Sequence, residues 1–362
     1  MPFLRQTAQA VSGFRASNIF ESPTLTLAVL RPFHSLRETT MFTTQPFRAR
    51  PVFPTGLAFH AARVTSRRAA AGGRSSRGGR AGLGWHKLSW ALMLAWSCLS
   101  LAAPSGGVVS AGQASLGGTP GQLTVTQTTP QVVLNWQSFG ILPGESVRFV
   151  QPNRQSLALN RVLGPEPSVI QGSLTANGQV FLINPQGVLF GAGASVSVGG
   201  LVASTLGLSD ADFLAGRYRF DGAGPGNIVN QGHLQATDGG YVALLSRSVH
   251  NEGVVKAQLG SVALAAGQVV TLSLLGDGLL NVAVDQGVAQ ALLSNAGLLQ
   301  ADGGTVLMST QAAGQLLGNA VNNTGVLQAQ TLENQQGRIV LLGSSDSGTV
   351  NLGGQLDVRG GA

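Results

Sequence analysis

Few residues of this chain have the types and spacing that catalysis or metal binding requires. Hydrolysis or cleavage of sugars needs clustered carboxylates, often with bound calcium, and Asp210 and Asp212 are the one close acidic pair after residue 102. Two histidines, His233 and His250, lie in the same region without a cysteine, which excludes a zinc site of the usual kind. We therefore predict a protein that is not an enzyme and that binds no cofactor.

Charge is distributed unevenly along the 362 residues. Residues 1–102 hold twelve Arg and one Lys against two acids, a net charge of +11, whereas residues 103–362 carry a net charge of −4. A nucleic-acid interface needs a basic patch on the folded domain, so binding to nucleic acid is not expected. Glycine is abundant, with 51 residues, and the hydrophobic fraction is 43%. This composition favours short strands and tight turns over disorder.

Residues 1–102 are predicted to be a leader that ends in a signal peptide. Basic residues precede an apolar core at 88–101, and small residues follow it, which is the pattern of a secretory signal. The core is shorter than the roughly 20 residues of a transmembrane helix, so we expect no stable membrane span and predict cleavage between Ala102 and Ala103. The less favoured alternatives are a lipid-attachment cysteine, a twin-arginine signal and an internal start, at Cys98, Arg67–Arg68 and Met41.

The second half of the chain contains a repeated Asn-x-Gly motif. Its asparagines are Asn230, Asn251, Asn295, Asn323 and Asn351, in steps of 21, 44, 28 and 28 residues. Asn and Gly tolerate positive φ, so we interpret these positions as corners between short strands. A unit of about 20–30 residues that cannot bury its apolar face alone is typical of one coil of a solenoid. The asparagines are predicted to form a hydrogen-bonded ladder, with a binding site as the alternative.

Two further features belong to these repeats. The 44-residue step could hold two coils, but Val270–Asp285 alternates on both sides of a Gly-Asp-Gly sequence, which predicts a short antiparallel hairpin on the wall of the solenoid. His233 and His250 lie one unit apart beside corners. We interpret them as stacked surface histidines, with a metal-binding pair as the alternative.

The first half of the chain is less regular but has clear strand and turn signals. Strands are predicted at Val132–Trp136, Ser146–Gln151 and Gln179–Asn184, and Asn184-Pro185-Gln186-Gly187 is predicted to be a type I turn. Trp136 is expected to pack in the core or cap, although a sugar platform is the alternative. Four glutamines are expected at solvated positions near the amino-terminal cap: Gln127, Gln131, Gln137 and Gln151.

A series of ordered motifs carries a family resemblance across residues 105–290. The motifs are LNWQSFGI (Leu134–Ile141), VRFVQPN (Val147–Asn153), ALNRV (Ala158–Val162), GSLTANGQVFLINPQGVLFG (Gly172–Gly191), GGLVAST (Gly199–Thr205), DADFLAGRYRF (Asp210–Phe220), GGYVALL (Gly239–Leu245) and GDGLL (Gly276–Leu280). They resemble the two-partner-secretion domain of filamentous-haemagglutinin-like exoproteins, a family that includes haemolysins and contact-dependent toxins. One departure is Gln186, because the family commonly has Asn-Pro-Asn-Gly at this turn.

The resemblance implies an all-β fold, a right-handed parallel β-helix with an amino-terminal cap. It implies a secretion domain at 103–290, with further and truncated β-helix coils at 291–362. It also implies a partner, an outer-membrane β-barrel transporter with periplasmic recognition domains. The implied secretion motif comprises the turn Asn184–Gly187 together with Asn135, Trp136, Asn160 and Arg161.

The resulting functional hypothesis is a secreted or cell-surface protein, an adhesin or haemagglutinin-like exoprotein whose β-helix is recognised by the transporter for export. A host or cell-surface ligand is possible within this class. Two alternatives stay open, a parallel β-helix enzyme that acts on polysaccharides and a passive extracellular fibre module. A fold of this kind does not by itself decide among them.

Overall fold

The computed structural model describes residues 103–222, 224–274, 280–287, 291–311, 321–332, 335–343 and 349–360. The predicted leader, with Ala102 at its end, lies outside the described residues. No helix among the described residues is both long and apolar enough to cross a membrane.

Three long sheets run the length of this region. Sheet 1 contains β1 (Val108–Ala111), β4 (Gln131–Trp136), β6 (Leu157–Val162), β9 (Gln179–Ile183), β12 (Gly200–Ser204), β16 (Tyr241–Ser246), β19 (Ser261–Ala266), β24 (Thr305–Thr310) and β27 (Arg338–Leu342). Sheet 2 contains β2 (Ala114–Thr119), β3 (Gln122–Gln127), β5 (Ser146–Val150), β8 (Ser173–Ala176), β11 (Ser195–Val198), β15 (His233–Ala236), β18 (Val254–Lys256), β23 (Leu298–Gln300), β26 (Val326–Gln328) and β29 (Gln355–Asp357). Sheet 3 contains β7 (Ser168–Ile170), β10 (Val188–Phe190), β14 (Ile228–Asn230), β17 (Ser248–Asn251), β22 (Leu292–Asn295), β25 (Val321–Asn323) and β28 (Val350–Leu352).

The chain visits the three sheets in turn, which makes the fold a parallel β-helix. From β4 to β27 every neighbouring pair in sheet 1 is parallel, so that Val242 aligns with Val262 and Val262 with Val306. Each new coil therefore places the same kind of side chain above the previous one. The all-β solenoid predicted from the repeats is confirmed.

The amino-terminal end is closed by antiparallel strands. β1 pairs antiparallel with β4, the first parallel strand of sheet 1, and β2 forms a hairpin with β3 on sheet 2. The strands β4 and β3 are thus paired on both sides, and the antiparallel strands β1 and β2 form the edges of sheets 1 and 2. The predicted amino-terminal cap is confirmed in this form.

The central strands of sheet 1, β12, β16 and β19, are buried on both faces, whereas sheet 2 alternates between core and solvent. In β15 the side chains of Leu234 and Ala236 are buried and those of His233 and Gln235 are exposed, as period-two alternation requires. All six residues of β16 are buried, because a second apolar layer covers the outer face of sheet 1.

That second layer comes from segments inserted between coils. It consists of the five-residue helix α1 (Asp210–Leu214) and an antiparallel sheet of β13 (Tyr218–Asp221), β20 (Val269–Leu274) and β21 (Leu280–Gln286), which we call the outer sheet. Phe181 on β9 contacts Phe213 of α1 edge-on at a ring-centroid distance of 5.8 Å and Tyr218 of β13 at 5.4 Å. These aromatic contacts join the insertions to the solenoid wall.

The predicted hairpin is confirmed, and the 44-residue step holds a single coil. β20 and β21 pair antiparallel from Val270 to Leu274, while β17 pairs directly with β22, with Asn251 aligned to Asn295. The extra length of the step is the hairpin, whose tip lies outside the described residues. The strands on both sides of residue 290 belong to the same three sheets, so the division at 290 stays a prediction about secretion.

Four of the five repeat asparagines form a buried ladder at the end of the sheet 3 strands. Asn230 donates through Nδ2 to Oδ1 of Asn251, Asn251 to Asn295, and Asn295 to Asn323, each at 2.7 Å. All four side chains are buried, and a buried amide is stable when its donors and acceptors are paired. The arrangement is a structural ladder.

Asn351 differs from the expected pattern because it is one residue out of register. Asn323 aligns with Leu352, and Asn351 aligns with Asn322 on the outward side of the strand. The glycine stack agrees with this register, since a Cβ on Gly354 would overlap the carbonyl oxygen of Gly325. The motif Asn351-Leu352-Gly353 therefore has the spacing of the repeat without occupying its corner, and Asn351 is exposed.

The expected stacking of the two histidines is wrong. His233 lies on β15 in sheet 2 and aligns with Val254, whereas His250 lies on β17 in sheet 3 and bonds Ser248 Oγ through Nε2 at 2.9 Å. The two histidines are 17 residues apart, whereas the coil from Asn230 to Asn251 spans 21, because His233 follows its corner asparagine and His250 precedes its own.

Candidate secretion site

The Asn184–Gly187 segment forms a turn at the corner between sheets 1 and 3. The carbonyl oxygen of Asn184 accepts the N–H of Gly187 at 3.1 Å, and Oδ1 of Asn184 accepts the N–H of Gln186 at 2.9 Å. Gly187 has a φ of 124°, a conformation that residues with a side chain rarely adopt. The side chain of Asn184 and the glycine together determine the bend.

Asn184 also holds the neighbouring coil. It is fully buried, and its Nδ2 donates to the carbonyl oxygen of Glu166 and to Oγ of Ser168, both at 3.0 Å. On the other side, Gly226 N–H donates to the carbonyl oxygen of Pro185 at 3.0 Å. The turn therefore ties together three successive coils.

Gln186 is the exposed member of this turn. Its side chain is exposed, whereas Pro185 is half-buried. The bond to Asn184 uses the backbone N–H of Gln186, which any residue except proline provides. The departure from Asn-Pro-Asn-Gly thus changes a surface side chain without removing a bond of the turn.

Trp136 and Asn160 form a buried polar pair inside the first coils. Trp136 Nε1 donates to Asn160 Oδ1 at 3.0 Å, and Asn160 Nδ2 lies 3.3 Å from each of the carbonyl oxygens of Ala158 and Phe181. The Trp136 ring also contacts Phe139 edge-on at 5.5 Å. Trp136 is 1% exposed, so it packs in the core and offers no platform for a sugar.

Arg161 connects the wall of the solenoid to the inserted helix. It aligns with Asn135 across β6 and β4, and its Nη1 lies 3.4 Å from Asn135 Oδ1. Its Nη2 lies 2.6 Å from Oδ1 of Asp210 and 2.6 Å from the carbonyl oxygen of Leu208. The Asp210 carboxylate is therefore engaged in an ion pair that anchors the start of α1.

Asp212, the other member of the acidic pair, lies in the first turn of the helix, whose N-cap is Ser209. Ser209 Oγ accepts the backbone N–H of Asp212 at 3.1 Å and lies 2.7 Å from its carboxylate, a serine N-cap. The hydrogen bonds from Ser209 and Arg217 hold the pKa of Asp212 below its usual range. Both acids thus have structural partners, and they bond different groups.

Sequence reasoning missed a buried glutamine pair beside this site. Gln127 and Gln151, expected to be solvated, are buried, and Gln151 Nε2 donates to Gln127 Oε1 at 3.1 Å. Gln151 Oε1 accepts the N–H of Gly178 at 3.0 Å, so the pair pins the corner between sheets 2 and 1. The alternation of side chains along β3 could have shown this burial, because Gln127 lies two residues after the buried Val125 and therefore faces inward as well.

The described residues therefore assemble the predicted motif in two places along sheet 1. Trp136, Asn160 and Arg161 lie on β4 and β6, and the turn follows β9, which pairs with β6 through Asn160 and Leu182. The buried amides hold the coils, while Asn135, Arg161 and Gln186 reach the surface in part or in full. These features define the class, a parallel β-helix with inserted segments on one wall.

Comparison with known proteins identifies the family. The family model of the TPS (two-partner secretion) secretion domain matches residues 102–358. The chain therefore belongs to this family, whose members are exported across the outer membrane to the cell surface or the extracellular space. Domains of this family are recognised by outer-membrane transporter partners.

Named relatives come from Haemophilus influenzae. Two heme/hemopexin-binding proteins are 34% identical over 274 residues and 32% identical over 266 residues, covering 71% and 67% of this chain. The match spans only 28% of the length of each relative. The crystal structure of the HMW1 secretion domain is similar at 31% identity, with a TM-score of 0.62, over 70% of this chain and 66% of that one.

Proposed function

We propose that residues 103–290 are the part of a secreted adhesin or haemagglutinin-like exoprotein that the periplasmic domains of an outer-membrane β-barrel transporter recognise. The observation that carries the proposal is the cluster around Arg161. There a half-buried arginine joins β4, β6 and α1 within the matched family domain.

The recognised surface is formed by the exposed groups of the motif, and its buried groups set the shape. Asn160, Trp136 and Asn184 are buried, so a folded partner does not reach them. Asn135 and Arg161 are half-buried and Gln186 is exposed, so these side chains are available. Arg161 is the charged member of the three, and charged groups at the rim of an interface act mainly on association and specificity.

A non-enzymatic role fits the chemistry of the described residues. Asp210 and Asp212 bond Arg161 and Arg217 in separate ion pairs, so neither is a free carboxylate poised for acid–base work. The heme and hemopexin binding in the relatives' names belongs to proteins of which the matched segment makes up 28%. Binding of a host ligand by the exoprotein is a separate property from recognition by the transporter.

The test measures binding of the processed chain to the purified periplasmic domains of its transporter. Arg161→Ala is expected to weaken binding at least tenfold and to reduce secretion. The matched control is Arg219→Ala, because Arg219 forms an exposed ion pair with Asp221 on the outer sheet, and its affinity should stay at the wild-type value. A folded wild-type chain that does not bind these domains would instead support the fibre-module alternative.

A further inference from the structure

The backbone nitrogen of Ala103 lies against a carboxylate. It is 3.1 Å from Oε2 of Glu145, which also accepts the N–H of Leu142 at 2.8 Å. Glu145 is half-buried in the turn before β5. The contact therefore joins the first described residue to a turn 42 positions further along the chain.

Ala103 also has an unusual backbone conformation. Its φ is 44°, and among the described residues only one other non-glycine residue, Leu259, has a positive φ. Residues with a Cβ rarely adopt this region. The φ torsion of Ala103 exists only while its peptide bond to residue 102 is intact, and this bond is the predicted site of signal cleavage.

We propose that Glu145 is a binding site for the α-amino group that removal of the signal peptide creates at Ala103. A signal peptidase adds water across the amide between Ala102 and Ala103. This leaves a carboxylate on Ala102 and an amine on Ala103, which takes up a proton from solvent at neutral pH. The contact to Glu145 then joins an ammonium to a carboxylate, a charge-assisted bond that is stronger than the bond from a neutral amide.

The bound amino terminus would hold the cap of the β-helix in place. Ser105, two residues on, pairs with Ser138, with Ser105 N–H donating to the Ser138 carbonyl oxygen at 2.9 Å. β1 follows and closes the edge of sheet 1 on β4. Signal removal thus stabilises closure of the first coil, because the unprocessed chain offers Glu145 only a neutral N–H and retains the positive φ of Ala103.

The test uses the full chain, exported and processed in a bacterial host, and reads the reactivity of its amino terminus. Mass spectrometry first establishes the starting residue. An amine-reactive ester is then applied at pH 7, and the initial labelling rate of the terminal peptide is measured. Only the neutral amine reacts, so an ion pair that raises the pKa of the α-amino group slows labelling by about tenfold per pKa unit.

We expect Glu145→Gln to accelerate labelling of the terminal amine about tenfold. Glu166→Gln is the matched control, because Glu166 is an exposed acid, and it should leave the rate unchanged. Lys256 is the one lysine after residue 102 and is exposed, so its labelling rate in the same samples corrects for reagent differences.

A second measurement needs no substitution and covers the case in which the Glu145→Gln chain fails to fold. The wild-type terminal amine should label about tenfold more slowly than a synthetic peptide with the sequence of residues 103–109. Equal rates for the folded chain and the peptide would overturn the proposal, as would a processed chain that begins at another residue. Neither measurement depends on transporter binding.

Discussion

The indole N–H of Trp136 donates to Oδ1 of Asn160 at 3.0 Å, with both side chains buried between the first coils. Asn160 lies on β6, the next strand of sheet 1 after β4. Its Nδ2 also donates to carbonyl oxygens on its own strand and on β9. A single side chain therefore connects β4, β6 and β9. The pair holds the geometry of the wall from which Arg161 projects.

Replacing Asn160 should destabilise the chain more than replacing Asn135. Asn160→Ala leaves the buried indole N–H without an acceptor, which costs about 2–3 kcal/mol of unfolding free energy. Asn135→Ala is the matched control and should cost under about 1 kcal/mol, because its contact to Arg161 is long and half-exposed. Urea unfolding followed by tryptophan fluorescence is suited to this test, since Trp136 is the only tryptophan after residue 102. Equal midpoints for the two variants would contradict the assignment.

Replacing Asn184 should destabilise the chain by more than the loss of its one side-chain hydrogen bond within the turn would suggest. Asn184→Ala removes one accepted and two donated bonds of a buried side chain, so we expect a loss of about 2–3 kcal/mol and reduced export. Pro185→Ala should have a smaller effect, and Gln186→Asn none. The measurement compares secreted and cell-associated protein by immunoblot. Normal secretion of the Asn184/Pro185 double replacement would show that the turn is not needed.

Replacing a repeat asparagine should destabilise the chain only where the backbone register places that residue in the ladder. Asn251→Ala leaves Asn230 without its acceptor and Asn295 without its donor, so it should cost about 2–4 kcal/mol. Asn351→Ala should change stability by less than about 0.5 kcal/mol, as surface substitutions do, because Asn351 is exposed and outside the ladder. Thermal unfolding of both variants distinguishes this register from the one expected from the motif, in which the two replacements would have similar effects.

Helix α1 should loosen in acid through Asp212. The Ser209 and Arg217 bonds lower the pKa of Asp212 in the folded chain. The stabilisation is therefore present above the unfolded pKa of about 3.9 and is lost as the pH falls through the lower folded pKa. The hydrogen-exchange protection of residues 210–215, taken relative to the intrinsic amide rate at each pH, should fall over that range, and Ser209→Ala should move the fall to higher pH. An unchanged profile in Ser209→Ala would refute this coupling.

The solenoid itself was predictable because its physics is local and repeated. Alternation such as that of β15, where Leu234 and Ala236 face inward, shows one apolar face per strand, and the Asn-x-Gly units mark where the chain bends. The hairpin was visible for the same reason, because a Gly-Asp-Gly turn between two alternating segments pairs its own flanks.

The outer apolar layer and the burial of Gln127 and Gln151 were not predictable in this way. A strand buried on both faces, such as β16, reads as a continuous apolar run, and this run does not say what covers the second face. The contacts of Phe181 with Phe213 and Tyr218 depend on chain segments inserted between coils.

The sequence alone determined which residues bend and which face inward within each unit, because those preferences depend on neighbours a few positions away. Only the tertiary structure decided which units align. Asn351 shows the difference, since its motif has the expected spacing while the backbone register places Leu352 above Asn323. Register in a β-helix is set by the packing of whole coils, and a shift of one residue exchanges the inward and outward faces of a strand.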